Sequence, residues 1–169
     1  MNISPDREFL IEKILKNYAG IYDKPTSERL SAYKRERVVH PVIYIGSGSC
    51  GIIAGAGETL IAAREYLDRN NISAEIIRIG CNGLCSSEPL LEVQLPGKTR
   101  LAFRNITADR VEDTLNAVFH HLPDSGTILG QHKNPALEDW SSFPYIDQLP
   151  FFLNQQRIVL KNAGIISPW

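Results

Sequence analysis

Three cysteines are the residues of this chain best suited to chemistry: Cys50, and the pair in Cys81-Asn82-Gly83-Leu84-Cys85. A C-x3-C spacing on a loop lets two sulfurs face one point, and Gly83 can take the left-handed conformation that such a fold-back needs. Close thiolates bind soft metal centres. Iron–sulfur clusters take four thiolates, and N–H groups of a glycine-containing loop hydrogen-bond their sulfurs. The spacing alone is a weak signal, and a third cysteine on a neighbouring loop strengthens it. The bland reading is that these are ordinary buried small residues. A second pattern, Gly46-x-Gly48-x-x-Gly51, spells the dinucleotide-binding fingerprint, but the acid that should stand near the end of the second strand is absent there, where the chain reads Ile79-Gly80-Cys81. These glycines read more economically as letting a loop pass closely around a cofactor site or its remnant.

The elements that must position the cysteines follow from the hydrophobic pattern. Pro41-Val42-Ile43-Tyr44-Ile45 is short, β-branched and aromatic, and stops at a Gly/Ser cluster, so it predicts a buried strand with Cys50 just past its tip. A helix is expected from about Ala54 to Arg69, with Leu60, Ile61, Ala63, Arg64 and Leu67 against the sheet, then a strand over 74–79 that ends at Gly80 and Cys81. A right-handed βαβ crossover puts both strand tips at one sheet edge, which brings the Cys50 loop to the C-x3-C loop. Strands over 89–95 and 99–105, joined by Pro96-Gly97-Lys98, read as an antiparallel hairpin, and a helix from Thr107 to about His121 buries Val111, Leu115, Val118 and Phe119. The fold class is α/β, a thioredoxin-like mixed sheet (β-α-β-β-β-α) with one helix expected on each face. Before it, residues 1–39 form a helical extension, with one helix from Pro5 behind Ser4 to about Tyr18, closed by Gly20, and a more exposed one from Thr26 to about Val38. The domain spans 40–122. Residues 123–169 read as a loop-like linker to about Pro150, then a helix-like tail.

Bulk properties narrow the function. The 169 residues are 43% hydrophobic, enough for one well-filled core, and 18 Lys+Arg against 19 Asp+Glu leave a net charge of −1. Nothing here draws the chain to nucleic acid, and no run reaches the roughly 18 apolar residues of a membrane span. No signal-peptide pattern opens the sequence, and three cysteines are too few and odd in number for a disulfide scaffold, so a cytoplasmic location is expected. Other candidates are weaker. His120 and His121 end a helix and suit its C-terminal dipole, while His40 and His132 lack partners at ligand spacing. Trp140, Phe143 and Tyr145 near Pro144 could cover the sheet edge or meet a partner.

Over roughly Pro41 to His121 the sequence resembles the thioredoxin-like [2Fe–2S] ferredoxins, including the 24-kDa-type subunit of NADH dehydrogenase and the domain at the front of 51-kDa-type flavoprotein subunits, which also occur in NAD-linked hydrogenases. Ser49-Cys50-Gly51, Ala54-Gly55-Ala56 and the stretch from Gly80 to Leu90 carry the likeness. The family pattern is C-x4-C then C-x3-C, so the resemblance implies Cys50, Cys81 and Cys85 as cluster ligands, with Ile45 at the position of the missing first cysteine. Three readings follow: a cluster-free docking module; a [2Fe–2S] centre on three thiolates with an oxygen ligand from Ser47, Ser49, Glu88 or water; or a Cys81/Cys85 thiol pair cycling to a disulfide. The tail from Phe151 to Pro168 resembles the opening of the 51-kDa-type flavoprotein. FMN, NAD and [4Fe–4S] sites are therefore expected only in a continuation, and this chain is not catalytically complete as an NADH-oxidising enzyme. The implied partners are other subunits or domains of an NAD-linked oxidoreductase complex.

Overall fold

The computed structural model describes residues 8–16, 20–33, 35–120, 126–140 and 143–158. The chain divides into two compact units, Met1–Glu36 and Arg37–Trp169. In the first, residues 10–15 wind as a π-helix, and α1 spans Lys24–Tyr33. The Asp23 carboxylate accepts the Thr26 N–H at 2.9 Å, which starts α1 earlier than expected. Left-handed Arg35, with φ 50°, ends it well before Val38. Phe9 and Tyr33 stack with centroids 6.0 Å apart, and the Arg29 guanidinium lies 4.1 Å over the Phe9 ring. Ser4, Pro5 and Tyr18, expected at the ends of the first helix, lie outside the described residues.

The second unit is built on five strands: β1 Val42–Gly46, β2 Glu75–Ile79, β3 Leu91–Gln94, β4 Leu101–Phe103 and β5 Ile128–Gln131. Their order is β2-β1-β3-β4-β5, with β1 and β2 parallel and every other neighbour antiparallel. Between β1 and β2 run α2 Ser49–Ile53 and α3 Ala56–Arg69, and α4 Ala108–His120 follows β4. This is the thioredoxin-like arrangement expected from the pattern. The hairpin between β3 and β4 turns at Gly97, with Lys98 N–H bonded to the Leu95 carbonyl at 3.1 Å.

Two expectations about packing are corrected. The helices do not take opposite faces: Ile43, Ile45, Leu91, Val93, Leu101 and Phe103 form one apolar face whose core includes residues of both α3 and α4. What binds the helices side by side is Tyr66, fully buried, whose hydroxyl donates to Asn116 Oδ1 at 2.8 Å and whose ring stacks on Phe119 at 6.4 Å. The buried stripe of α3 is also rotated from the expected one, running Ala56, Thr59, Ala63, Tyr66 and Leu67, while Ile61 is 58% exposed. Thr59 can lie inside because its hydroxyl donates to the Ile106 carbonyl at 2.8 Å.

The opposite sheet face mixes apolar and charged side chains. Val42, Tyr44, Ile77 and Ile79 form one cluster, and Leu90, Ala102 and Leu129 another, covered in part by Ile146 and Leu149. Between them Glu92 Oε2 is paired with Arg100 Nε and lies 2.9 Å from His132 Nε2, with the Arg100 guanidinium 3.6 Å over the Tyr44 ring. Strand β5 falls inside the stretch expected as linker. Gln131 pins the following loop to the sheet by donating to the carbonyls of Trp140 and Phe143 at 3.0 and 2.8 Å, and Trp140 Nε1 donates to the Thr99 carbonyl at 2.7 Å. Trp140 is thus a core residue that closes this end of the sheet, with Phe143 packed against it. Among its described residues the tail forms one short helix, α5 Pro150–Leu153; residues 159–169 of the flavoprotein-like segment lie outside the described residues.

Candidate metal centre

The crossover from β1 to β2 is the element that assembles the site. Strand β1 ends at Gly46, and Ser47 N–H donates to the Ile79 carbonyl at 2.8 Å, fixing the two strand tips side by side. The chain then enters α2, so Cys50 sits in a helical first turn and not on an open loop. Cys81 and Cys85 follow β2. Gly83, with φ 96°, supplies the left-handed turn between them. The three sulfurs meet: Cys50 Sγ lies 2.9 Å and Cys81 Sγ 3.7 Å from Cys85 Sγ, and all three are within 4.8 Å of one another. Gly83 N–H donates to Cys81 Sγ at 3.2 Å, and Leu84 N–H to Asn82 Oδ1 at 2.9 Å.

The glycine motif is explained by close approach. A Cβ at Gly48 would stand 2.8 Å from Cys81 Cβ, and one at Gly51 only 2.2 Å from the Gly46 carbonyl oxygen. Because the sheet turns antiparallel directly after β2, the motif packs two cysteine-bearing segments together and does not open a doubly wound nucleotide fold.

Ile45, at the position where a fourth thiolate was expected, is fully buried in the core among the apolar residues under the helices and offers no donor atom. Of the oxygen candidates, Ser47 donates its hydroxyl to the Ile45 carbonyl at 3.2 Å, and Ser49 is exposed. Glu88 differs from both. It is 6% exposed, its Oε2 accepts Leu90 N–H at 2.8 Å, and its Oε1 has no hydrogen-bond partner. It lies so close to Gly46 that a Cβ there would come within 2.6 Å of Oε2. Among the described residues the gathered metal-ligating side chains are the three cysteines alone. They fit a soft metal centre with three protein sulfurs and a fourth donor that is not cysteine.

The local electrostatics suit an added positive charge. Burial pushes the Glu88 carboxyl above its ordinary value, with Glu92 adding to the effect and Leu90 N–H opposing it. The hydrogen bond shared with Cys50 raises the Cys85 thiol, and burial raises that of Cys81; the Glu88 charge adds to both. A bound metal reverses these preferences, since it draws both thiols to thiolate. For Glu88 the linkage is definite: a folded-state value above the ordinary 4.5 means that its ionisation costs stability as pH rises through that range. Glu88→Gln should therefore raise the stability of the metal-free chain at neutral pH by about 1 kcal/mol, and the gain should vanish as pH falls below the carboxylate range. Thermal melts of both proteins across pH check this.

Other residues singled out in the sequence fall elsewhere. His132 has a partner after all in Glu92, distant in sequence, while His120 closes α4 at its C-terminal end, where the dipole favours it. His40 is exposed, and His121 lies outside the described residues. Sequence reasoning missed Arg157, whose Nη2 donates to the Asn82 carbonyl at 2.6 Å, tying the tail to the cysteine loop across 75 residues. No local signal announces a contact of that range.

No family model matches the chain. Its sequence is similar to the NADP-reducing hydrogenase subunit HndB of Solidesulfovibrio fructosivorans, 26% identical over 98 residues that make up 57% of this chain and 78% of that protein. Among solved structures it is similar to a thioredoxin-like [2Fe–2S] ferredoxin from Aquifex aeolicus, with a TM-score of 0.45, 16% identity, and cover of 60% of this chain and all of the other. A second structure, of the wild-type form of such a ferredoxin from the same organism, gives a TM-score of 0.45 at 12% identity, covering 54% and 98%.

Proposed function

We propose that this chain is an electron-transfer module of an NAD(P)-linked oxidoreductase complex, holding an iron–sulfur centre on Cys50, Cys81 and Cys85. The observation that carries the reading is the meeting of three sulfurs from two separate segments at one end of the sheet. The similarity to a hydrogenase subunit supports the kind of complex. A [2Fe–2S] centre, when bound, takes up and releases one electron at a time.

The chain's own residues do the rest. Gly83 N–H donates to Cys81 Sγ, a bond that steadies a thiolate against protonation. Cys85 is exposed, which leaves one side of the centre open to a partner. Beside Cys50, Ile52 and Ile53 are 57% and 87% exposed, an apolar rim for that approach. Residues 40–122 carry the centre in this reading, and the tail leads toward a flavoprotein partner of the 51-kDa type. Among the described residues no helix is long and apolar enough to cross a membrane. Three free cysteines suit the reducing cytoplasm.

A second reading, a docking module without the centre, is favoured by one observation, the buried Ile45 in place of a fourth thiolate. Anaerobic purification followed by iron and sulfide analysis, a visible spectrum and electron paramagnetic resonance after dithionite separates the two. The proposal expects bound iron and sulfide with a one-electron paramagnetic signal. A colourless, iron-free protein that also resists reconstitution would contradict the electron-transfer reading.

A further inference from the structure

We infer that the metal-free chain has a specific oxidised form, in which Cys50 and Cys85 are joined by a disulfide and Cys81 stays a free thiol. The inference does not rest on the iron–sulfur reading, because it concerns the thiols in the absence of metal. Sequence spacing favours the neighbours Cys81 and Cys85 as the pair, but the structure favours the partners across the crossover. Cys50 Sγ stands 2.9 Å from Cys85 Sγ, against 3.7 Å for Cys81. Cys81 Sγ is also engaged by Gly83 N–H, within a turn that holds it in place. Cys85 is exposed and Cys50 half-buried, so an incoming oxidant meets Cys85 first.

The oxidant is a small-molecule disulfide, with oxidised glutathione as the probe. The Cys85 thiolate attacks one glutathione sulfur, the glutathione S–S bond breaks, and one glutathione leaves as a thiolate that takes up a proton. Cys50, deprotonated by solvent, then attacks Cys85 Sγ, forming the protein disulfide and expelling the second glutathione, which is protonated in turn. Two protein thiols lose two electrons and two protons, and one oxidised glutathione becomes two reduced ones. The bond consumes two of the three gathered sulfurs, so metal loading stops until a thiol reductant restores them. Oxidation thereby gates the site.

The full-length chain, stripped of metal under anaerobic conditions, is treated with oxidised glutathione, alkylated and digested with trypsin. Cleavage at Arg64 and Arg78 separates Cys50 from the peptide that holds Cys81 and Cys85. Free thiols should fall from three to one per chain, with the Cys50 peptide cross-linked at Cys85 and Cys81 alkylated. Dithiothreitol should return the count to three. Cys81→Ser should still close the bond, and Cys50→Ser should not. Cobalt(II) added alone should bind the reduced chain and not the oxidised one. A Cys81–Cys85 link, three alkylated thiols, a lasting glutathione adduct or disulfide-joined dimers would each overturn the inference. Iron and sulfide analysis of the untreated protein addresses the electron-transfer reading separately, so either can fail alone.

Discussion

Glu92→Ala should lower the stability of the chain by about 3–5 kcal/mol, the largest single loss expected outside the apolar core. Glu92 is 2% exposed, and its Oε2 faces both the buried Arg100 guanidinium and the His132 ring, 2.9 Å away. Removing the carboxylate strands Arg100, itself 7% exposed, without its counter-charge on the sheet face opposite the helices. Glu92→Gln keeps an acceptor and should cost less. The pH dependence supplies an independent check. Burial pushes the Glu92 carboxyl up, but Arg100 and His132 pull it further down, so the net value lies below the ordinary 4.5. A depressed folded-state value contributes stability above the ordinary carboxylate range that is lost as pH falls through the folded value. Urea titrations at neutral and acid pH should show the wild type losing this contribution and Glu92→Gln lacking it; equal acid sensitivity in both would contradict the network.

Gly51→Ala should cost about 1–3 kcal/mol through overpacking and weaken metal binding at the cysteines. Its Cβ would have to occupy a point 2.2 Å from the Gly46 carbonyl oxygen, which is backbone and can yield only if α2 shifts. That helix carries Cys50, so a shift of its first turn moves one of the three sulfurs. Gly57→Ala is the control. A Cβ there meets nothing within 4 Å, and the site is inside α3, so the change should stabilise by about 0.5–1 kcal/mol. Denaturation together with cobalt(II) titration of both variants would show whether the two effects separate as expected.

Which parts of this arrangement could be read from residue order follows from the range of the interactions. Val42–Gly46 and Glu75–Ile79 announce themselves because a β-branched run bounded by glycine is a local pattern, and crossover handedness then places Cys50 beside Cys81. Gly83 was legible for the same reason, a turn needing a positive φ. Strand Ile128–Gln131 was not, being four residues long and interrupted by Gly130, with an edge made by Gln131 reaching Trp140 and Phe143. The shared helix face was hidden in Tyr66 and Thr59, polar residues that lie inside only because Asn116 and Ile106 satisfy them from distant positions. Glu88 showed as one of four oxygen candidates, and only its burial and unpartnered Oε1 set it apart from Ser47 and Ser49.

The account stands on Cys50 sharing a centre with the two cysteines that follow β2. An anaerobic cobalt(II) titration of the metal-free chain, followed by its sulfur-to-metal charge-transfer absorption, tests that directly. One cobalt should bind per chain, and Cys50→Ala should remove about a third of the absorption and weaken binding as much as Cys81→Ala does. A Cys50→Ala protein with the spectrum and affinity of the wild type would place Cys50 outside the centre and contradict the account.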